Sequence, residues 1–273
     1  AQELECNFNT SGETVIHPED IAWMGTITKE PLYRTGFDRN FWMWERYNPE
    51  NTYLLVADVA RGDGADNSTF HIFKLETMEI VAEYQGKPSL DQYSTILYQA
   101  GSEFGKCLLV VENVGVGISV LEKLIDLEYS NLYFSVKSSH EFVEQYQAES
   151  MSNSVPGFTT STKTRPIIVA KLEEFIRNKL ITIYSQRTFK EITTFIWYNG
   201  KPQAMRGYND DLILALAIGC WVRDTALQAN KRDVEYKKAL IDSIFVTNTK
   251  LNTTIKGMRG YKSNDDLDRF DKA

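Results

Sequence analysis

The sequence predicts an α/β fold in which a mixed β-sheet is flanked by helices. Three observations predict it. Two short apolar stretches, YLLVADV (53–59) and CLLVVEN (107–113), have the composition of strands buried in a core. Between them lie two further strand-like stretches joined by short turns, the pattern of a meander. Beyond residue 113, helical and extended stretches alternate. The 273 residues allow one large domain or two small ones, and 42% hydrophobic with 12% aromatic content suits a globular core.

Residues 1–50 are mixed in character, with FWMWERY (41–47) the densest aromatic cluster. They are expected to form a lead-in segment packed on a main domain spanning 51–228. YLLVADV opens that domain and ends in a Gly/Asp turn. STFHIFKL (68–75) and TMEIVAEYQG (77–86) each alternate apolar and polar residues, so the three form an antiparallel meander. In SLDQYSTILYQAGSEFG, Leu90, Tyr93, Ile96, Leu97 and Ala100 recur at helical spacing, and Gly101 or Gly105 ends the helix. CLLVVEN follows as a strand, VGVGISVLEKLIDLE as a helix and LYFSVK (132–137) as a strand. Residues 138–165 read as a polar loop with a turn at Pro156-Gly157.

RPIIVAKLEEFIRNK is helical, with Pro166 in the first turn where its missing N–H does no harm. Ile168, Leu172, Phe175 and Ile176 make its apolar face. LITIY (180–184) is a short strand and RTFKEITTF a helix. FIWYNGKPQAM is a hairpin turning at Asn199-Gly200. In RGYNDDLILALAIGCWVRDTAL, Asn209 or Asp210 caps a helix that is apolar on all sides and therefore buried. Residues 229–273 are expected to hold one helix (KRDVEYKKALIDSIF) and a flexible tail. Meander strands, then a helix and a parallel strand, describe an RNase H-like (resolvase-like) mixed sheet.

Composition excludes several function classes. The net charge of −7 does not advertise nucleic-acid binding. Cys6, Cys107 and Cys220 are odd in number and far apart, so they read as free thiols rather than a disulfide framework or zinc site. His17, His71 and His140 have no ligand spacing, which argues against a zinc enzyme. No apolar run reaches the ~18 residues of a membrane span, and AQELECNFNT has no signal-peptide pattern. The expected location is a reducing cytoplasm.

The carboxylates carry the chemistry. Asp58 ends the first apolar strand, Glu112 ends the fourth, and Asp210-Asp211 opens the buried helix; Asp66 lies in the Gly-rich turn after Asp58. First and fourth strands in this order are commonly parallel neighbours, and ligands favour the carboxyl ends of such strands. Carboxylates gathered there repel, and a divalent cation relieves the repulsion. Two ions about 3.5–4 Å apart can activate water and stabilise the leaving oxygen of a phosphodiester. The plainer alternatives are a turn residue for Asp58 and a helix cap for the Asp pair. Glu112 resists such treatment, because Glu is not a favoured turn residue. DGADNST lacks EF-hand spacing, and the G-x-G of ENVGVG is no P-loop; G-x-x-x-x-G-K-[ST] is absent.

Residues 160–206 hold nine Lys/Arg against three acids. Lys163, Arg165, Arg187, Lys190, Lys201 and Arg206 are candidates for meeting a phosphate backbone. Lys171 and Arg177 read better as partners in ion pairs along a helix face.

VADVARGDGADNSTFHIF, LLVVENVGVG, TKTRP (162–166) and FIWYNGKPQAMRGYNDDLILALA occur in this order between about residues 50 and 225. They resemble the C-terminal nuclease domain of the large terminase subunit of tailed bacteriophages, the T4-like type especially. The resemblance implies an RNase H-like endonuclease of low sequence specificity, cutting concatemeric viral DNA during packaging in the host cell cytoplasm. It implies Mg²⁺ or Mn²⁺ held by Asp58, Glu112 and Asp210 or Asp211, with Asp66 accessory. It further implies double-stranded DNA, a portal protein and a small terminase subunit as partners. The family's N-terminal ATPase motor has no counterpart here, since the Walker motif is absent, so the chain looks like the nuclease half. The rivals are a Holliday-junction resolvase-like enzyme and a non-enzymatic docking module whose acids are caps.

Overall fold

A computed structural model describes residues 14–136, 142–143 and 153–223 of the chain. The expected C-terminal helix and tail, together with Cys6 and His140, lie outside the described residues.

The principal sheet has six strands: β1 (Tyr33–Thr35), β2 (Phe41–Met43), β3 (Tyr53–Asp58), β4 (Ser68–Lys74), β5 (Glu79–Gly86) and β6 (Leu108–Val111). Their spatial order is β1-β2-β5-β4-β3-β6. The meander β3-β4-β5 is antiparallel, and β6 lies parallel to β3 with Leu54 opposite Leu108 and Ala57 opposite Val111. The helix between them makes this parallel return possible: α2 (Leu90–Glu103) is closed at its start by a capping box in which Ser89 and Gln92 bond reciprocally.

Part of the segment expected to be a lead-in is built into this sheet. β1 and β2 extend it beyond β5, with Phe41 opposite Tyr84, and helix α1 (Pro18–Ile27) contributes buried Ile21 and Met24. The boundary drawn at residue 50 therefore falls within one sheet. The aromatic density of 41–47 is what such an added strand needs to bury.

Both faces of the sheet are covered. Leu55, Ala57, Phe70, Ile72, Leu109 and Val111 pack with α2 and α3 (Gly117–Asp126). Leu54, Val56, Phe73, Ile80 and Val110 pack with α4 (Thr164–Arg177), α5 (Gln186–Thr193) and the helix at 211–223. The alternation in β4 and β5 marks no solvated face: the polar positions Thr69, His71 and Glu83 are fully buried. Glu83 is accommodated because the start of α5 is polar where it meets it. Ser185 Oγ donates to Glu83 (2.7 Å), Arg187 Nε donates to it (2.8 Å), and Thr188 Oγ1 bonds it too.

Two further sheets are small. β10 (Phe195–Tyr198) and β11 (Lys201–Ala204) form the expected hairpin, with Asn199 and Gly200 both at positive φ as its two-residue turn requires. β7 (Phe134–Val136) pairs with β8 (Phe142–Val143) and β9 (Ser154–Pro156), so the stretch expected to be loop supplies two strands. LITIY does not form a strand; Thr182 makes one parallel bridge to Glu79. Among the described residues no helix is long and apolar enough to cross a membrane.

Candidate metal centre

β3 and β6 end side by side. The backbone N–H of Glu112 donates to the Ala57 carbonyl (2.9 Å), one residue before Asp58, which extends the parallel pairing to the strand tips. Asp58 and Glu112 therefore project from adjacent posts, close enough that the Glu112 carboxyl raises the Asp58 pKa. Asp58 is buried, and its Oδ1 accepts the Val59 N–H (2.8 Å). Its carbonyl is fixed from beneath by the Tyr93 hydroxyl (3.2 Å), which also donates to the Thr69 carbonyl (2.6 Å). Burial first, then Glu112, then Asp211 push the Asp58 carboxyl well above the usual carboxylate range.

Asp211 is the third acid. It is the first residue of the helix at 211–223 and is buried. Its Oδ2 accepts the Asn67 N–H (2.7 Å) and the Asn209 amide (3.1 Å). Burial raises its pKa, and those two donors oppose the rise. Asp66 is exposed in the β3–β4 loop, where its charge acts on Asp211.

Asp210 is drawn elsewhere. Its Oδ2 pairs with the Arg165 guanidinium and accepts the Ala204 N–H (3.1 Å). The expected side-chain cap is also absent, because no side-chain oxygen of Asn209, Asp210 or Asp211 accepts an N–H from the helix start. Glu191 does so instead: its Oε2 accepts Leu212 N–H (2.9 Å) and Ile213 N–H (3.4 Å), and its Oε1 accepts from Gln85 (3.0 Å). Its pKa is pushed up to about 9 by burial, then by Asp211 and Glu83. Nothing local in the sequence marks Glu191, since the groups it bonds are 20 or more residues away.

The candidate phosphate contacts divide in two. Lys163, Lys190, Lys201 and Arg206 are exposed. Arg165 is committed to Asp210 and to the Pro202 carbonyl (3.2 Å). Arg187 is committed to Glu83 and lies 3.7 Å over the Trp42 ring. Each of these two is held by a carboxylate. Lys171 and Arg177 pair with Glu174 and Glu173 as expected. Sequence reasoning overlooked Arg61. It lines a cavity of about 400 Å³ beyond the strand tips, with Asp63, Asp66, Val114 and Val116.

The donor set suits a hard divalent cation. Among the described residues no three acid, His or Cys side chains yet converge on one point. Mg²⁺, however, typically takes one or two carboxylates and fills its other positions with water and phosphate oxygens. Asp58 and Glu112 supply the pair and Asp211 flanks it. Thr69, directly across from Asp58 in the sheet, adds a buried hydroxyl with no protein partner.

No family model matches the sequence. Solved structures do match the fold. The large terminase nuclease of thermophilic phage G20c, with bound magnesium, aligns with a TM-score of 0.58 at 16% identity, covering 77% of this chain and 97% of that one. Its form with bound cobalt gives the same values. The large terminase nuclease domain of Thermus phage P74-26 aligns with a TM-score of 0.53 at 15% identity, covering 73% and 92%. The chain therefore has the RNase H-like fold of these large terminase nucleases, a six-stranded mixed sheet flanked by helices.

Proposed function

We propose that the protein is a metal-dependent DNA endonuclease that cuts concatemeric phage DNA during packaging, with little sequence preference. One observation carries the proposal: on this fold, two carboxyls stand at the adjacent tips of parallel β3 and β6, each in the other's field, and Asp211 flanks them. Solved terminase nucleases of the same fold hold magnesium, cobalt or zinc, which supports the same class of cofactor here.

Asp58, Glu112 and Asp211 would hold Mg²⁺ or Mn²⁺, with Asp66 accessory, and hydrolysis is proposed to use two ions. When bound, the ions supply Lewis acidity, generating the nucleophile and offsetting charge on the leaving oxygen. The chain does the rest. The Val59 N–H fixes one Asp58 oxygen, and Asn67 N–H and the Asn209 amide aim Asp211. The exposed Lys163, Lys190, Lys201 and Arg206 offer charge to a duplex backbone, which sequence-independent binding requires. Arg61 lies nearer the strand tips, at the cavity. The T4-like kinship, the host cytoplasm, and the ATPase motor, portal and small terminase subunit as partners belong to the same proposal.

The test is cutting of supercoiled plasmid by wild type, Asp58→Asn, Glu112→Gln and Asp211→Asn, in Mg²⁺, Mn²⁺ or EDTA. Metal-dependent cutting that each substitution lowers by at least ~10²-fold, with folding intact by circular dichroism, is expected. Equal cutting by all four proteins, or none by wild type in either metal, would overturn the proposal. Preference for four-way junctions over linear duplex would move the assignment to a resolvase-like enzyme.

A further inference from the structure

A helix that begins at Asp211 must satisfy the N–H groups of its first turn, and in a buried helix water cannot do it. Neighbouring carboxylates are the usual means, and two stand at this position. Both are engaged elsewhere: Asp210 with Arg165 and Ala204, Asp211 with Asn67 and Asn209. The Leu212 and Ile213 N–H groups are met by Glu191, which reaches over from α5. Gln85 on β5 holds the other Glu191 oxygen. On the far side of the same peptide unit, His71 Nε2 lies 2.9 Å from the Leu212 carbonyl, so its N–H donates there. The Leu212–Ile213 peptide is thus gripped at its carbonyl by β4 and at its N–H by α5, and Glu191 also holds the N–H of the peptide before it.

We propose that Glu191 is a positioning residue for the metal centre: it caps the helix in place of the Asp pair, leaves the Asp211 carboxylate free to face Asp58 and Glu112, and fixes its approach. The inference rests on the metal-centre reading above. Without Glu191, the exposed amides would compete for Asp211 or Asp210 as a conventional cap. Asp211 would then turn away from the strand tips. Groups that orient a ligand in this manner typically change metal affinity by about 10–100-fold.

The experiment measures Mn²⁺ binding by isothermal titration calorimetry, with no DNA and no turnover, on wild type, Glu191→Ala, Glu191→Gln, Asp58→Asn and Leu124→Ala. Leu124 is a buried α3 residue whose truncation destabilises the fold without touching the helix start. Glu191→Ala is expected to weaken Mn²⁺ binding at least tenfold. Glu191→Gln should restore most of it, because the amide oxygen still accepts from Leu212 and Ile213 and Gln85 can reverse its own amide. Leu124→Ala should lower the melting temperature and leave the affinity unchanged. If wild type and Asp58→Asn bind Mn²⁺ alike or not at all, the metal centre and this inference fall together. If wild type binds, Asp58→Asn does not, and Glu191→Ala matches wild type, the metal centre stands and the inference alone is overturned. A loss of affinity in Leu124→Ala equal to that in Glu191→Ala would likewise overturn it, reducing Glu191 to general stability.

Discussion

Asp58→Asn is expected to stabilise the metal-free protein while abolishing its response to metal. Two like charges about 4 Å apart repel by about 4 kcal/mol at an effective dielectric near 20. Burial, then the neighbouring Glu112 carboxyl, push the Asp58 pKa well above its usual range, so holding a charge at this position costs the folded state stability. Asn at 58 keeps the oxygen that accepts from Val59 and turns the other into an amide donor toward Glu112. Relief of a destabilised functional site commonly yields about 0.5–2 kcal/mol. At roughly 2–4 °C per kcal/mol for a domain of this size, that is a rise of ~1–8 °C in EDTA. With Mn²⁺ at about a hundredfold over its dissociation constant, wild type gains about 2.7 kcal/mol and the variant little. The order of the two melting temperatures should therefore invert between EDTA and Mn²⁺, read by circular dichroism at 222 nm. A variant that melts below wild type in EDTA, or that gains as much from Mn²⁺, would refute the reasoning.

Other expectations follow from the same geometry. In EDTA, stability should fall as pH rises from 7 to 8.5. The folded protein retains a proton on Glu191, whose pKa is raised to about 9, which the unfolded chain has already released. The slope is at most ~1.4 kcal/mol per pH unit for that proton. The window lies above the region where buried, neutral His71 acts in the opposite sense. Urea midpoints across it, flattened by Glu191→Gln, check this, and a rising midpoint would contradict it. Gly117→Ala would place a Cβ 1.9 Å from the Glu112 carbonyl oxygen, so the Glu112 backbone must move; plasmid cutting should drop by about 10²-fold with the helical signal retained. Asp210→Asn should lower stability by about 1 kcal/mol through the lost Arg165 pair and spare Mn²⁺ affinity, whereas Asp211→Asn should remove it; equal metal binding by the two would count against the separation of their roles.

The sequence made the meander, the parallel return of β6 and the strand-tip acids legible because each is written locally: a short apolar run, a turn, an acid. The Asn199-Gly200 hairpin was legible because its turn chemistry demands those residues. What remained hidden was pairing at long range. The strands at 33–35 and 41–43 are three residues each and show no period; they pair with each other and join the sheet only through β5, some forty residues after 41–43. The burial of Glu83 was hidden because the partners that satisfy it, Ser185, Arg187 and Thr188, lie a hundred residues later. The ion pairs of Arg165 and Arg187 were hidden for the same reason: an arginine in a basic stretch cannot show which distant carboxylate has claimed it.

That claim on the arginines also explains why the site lies where it does. The interior of this fold holds more acids than a stable core would tolerate without compensation. Glu83 is met by Arg187, Ser185 and Thr188, Asp210 by Arg165, and Glu191 by two helix amides and Gln85. Each basic or N–H donor spent there leaves one acid neutralised and one fewer donor free. Among the described residues, no salt bridge reaches Asp58, Glu112 or Asp211. Like Glu191, these three have no cationic partner, but unlike Glu191 they are gathered at the ends of the two parallel strands. A compensating positive charge must then come from outside the chain, and a hard divalent cation shared with a phosphate is the partner whose coordination demands this donor set meets. The same logic gives Arg165 its place: by binding Asp210 it selects which member of the Asp pair is left to face the strand tips.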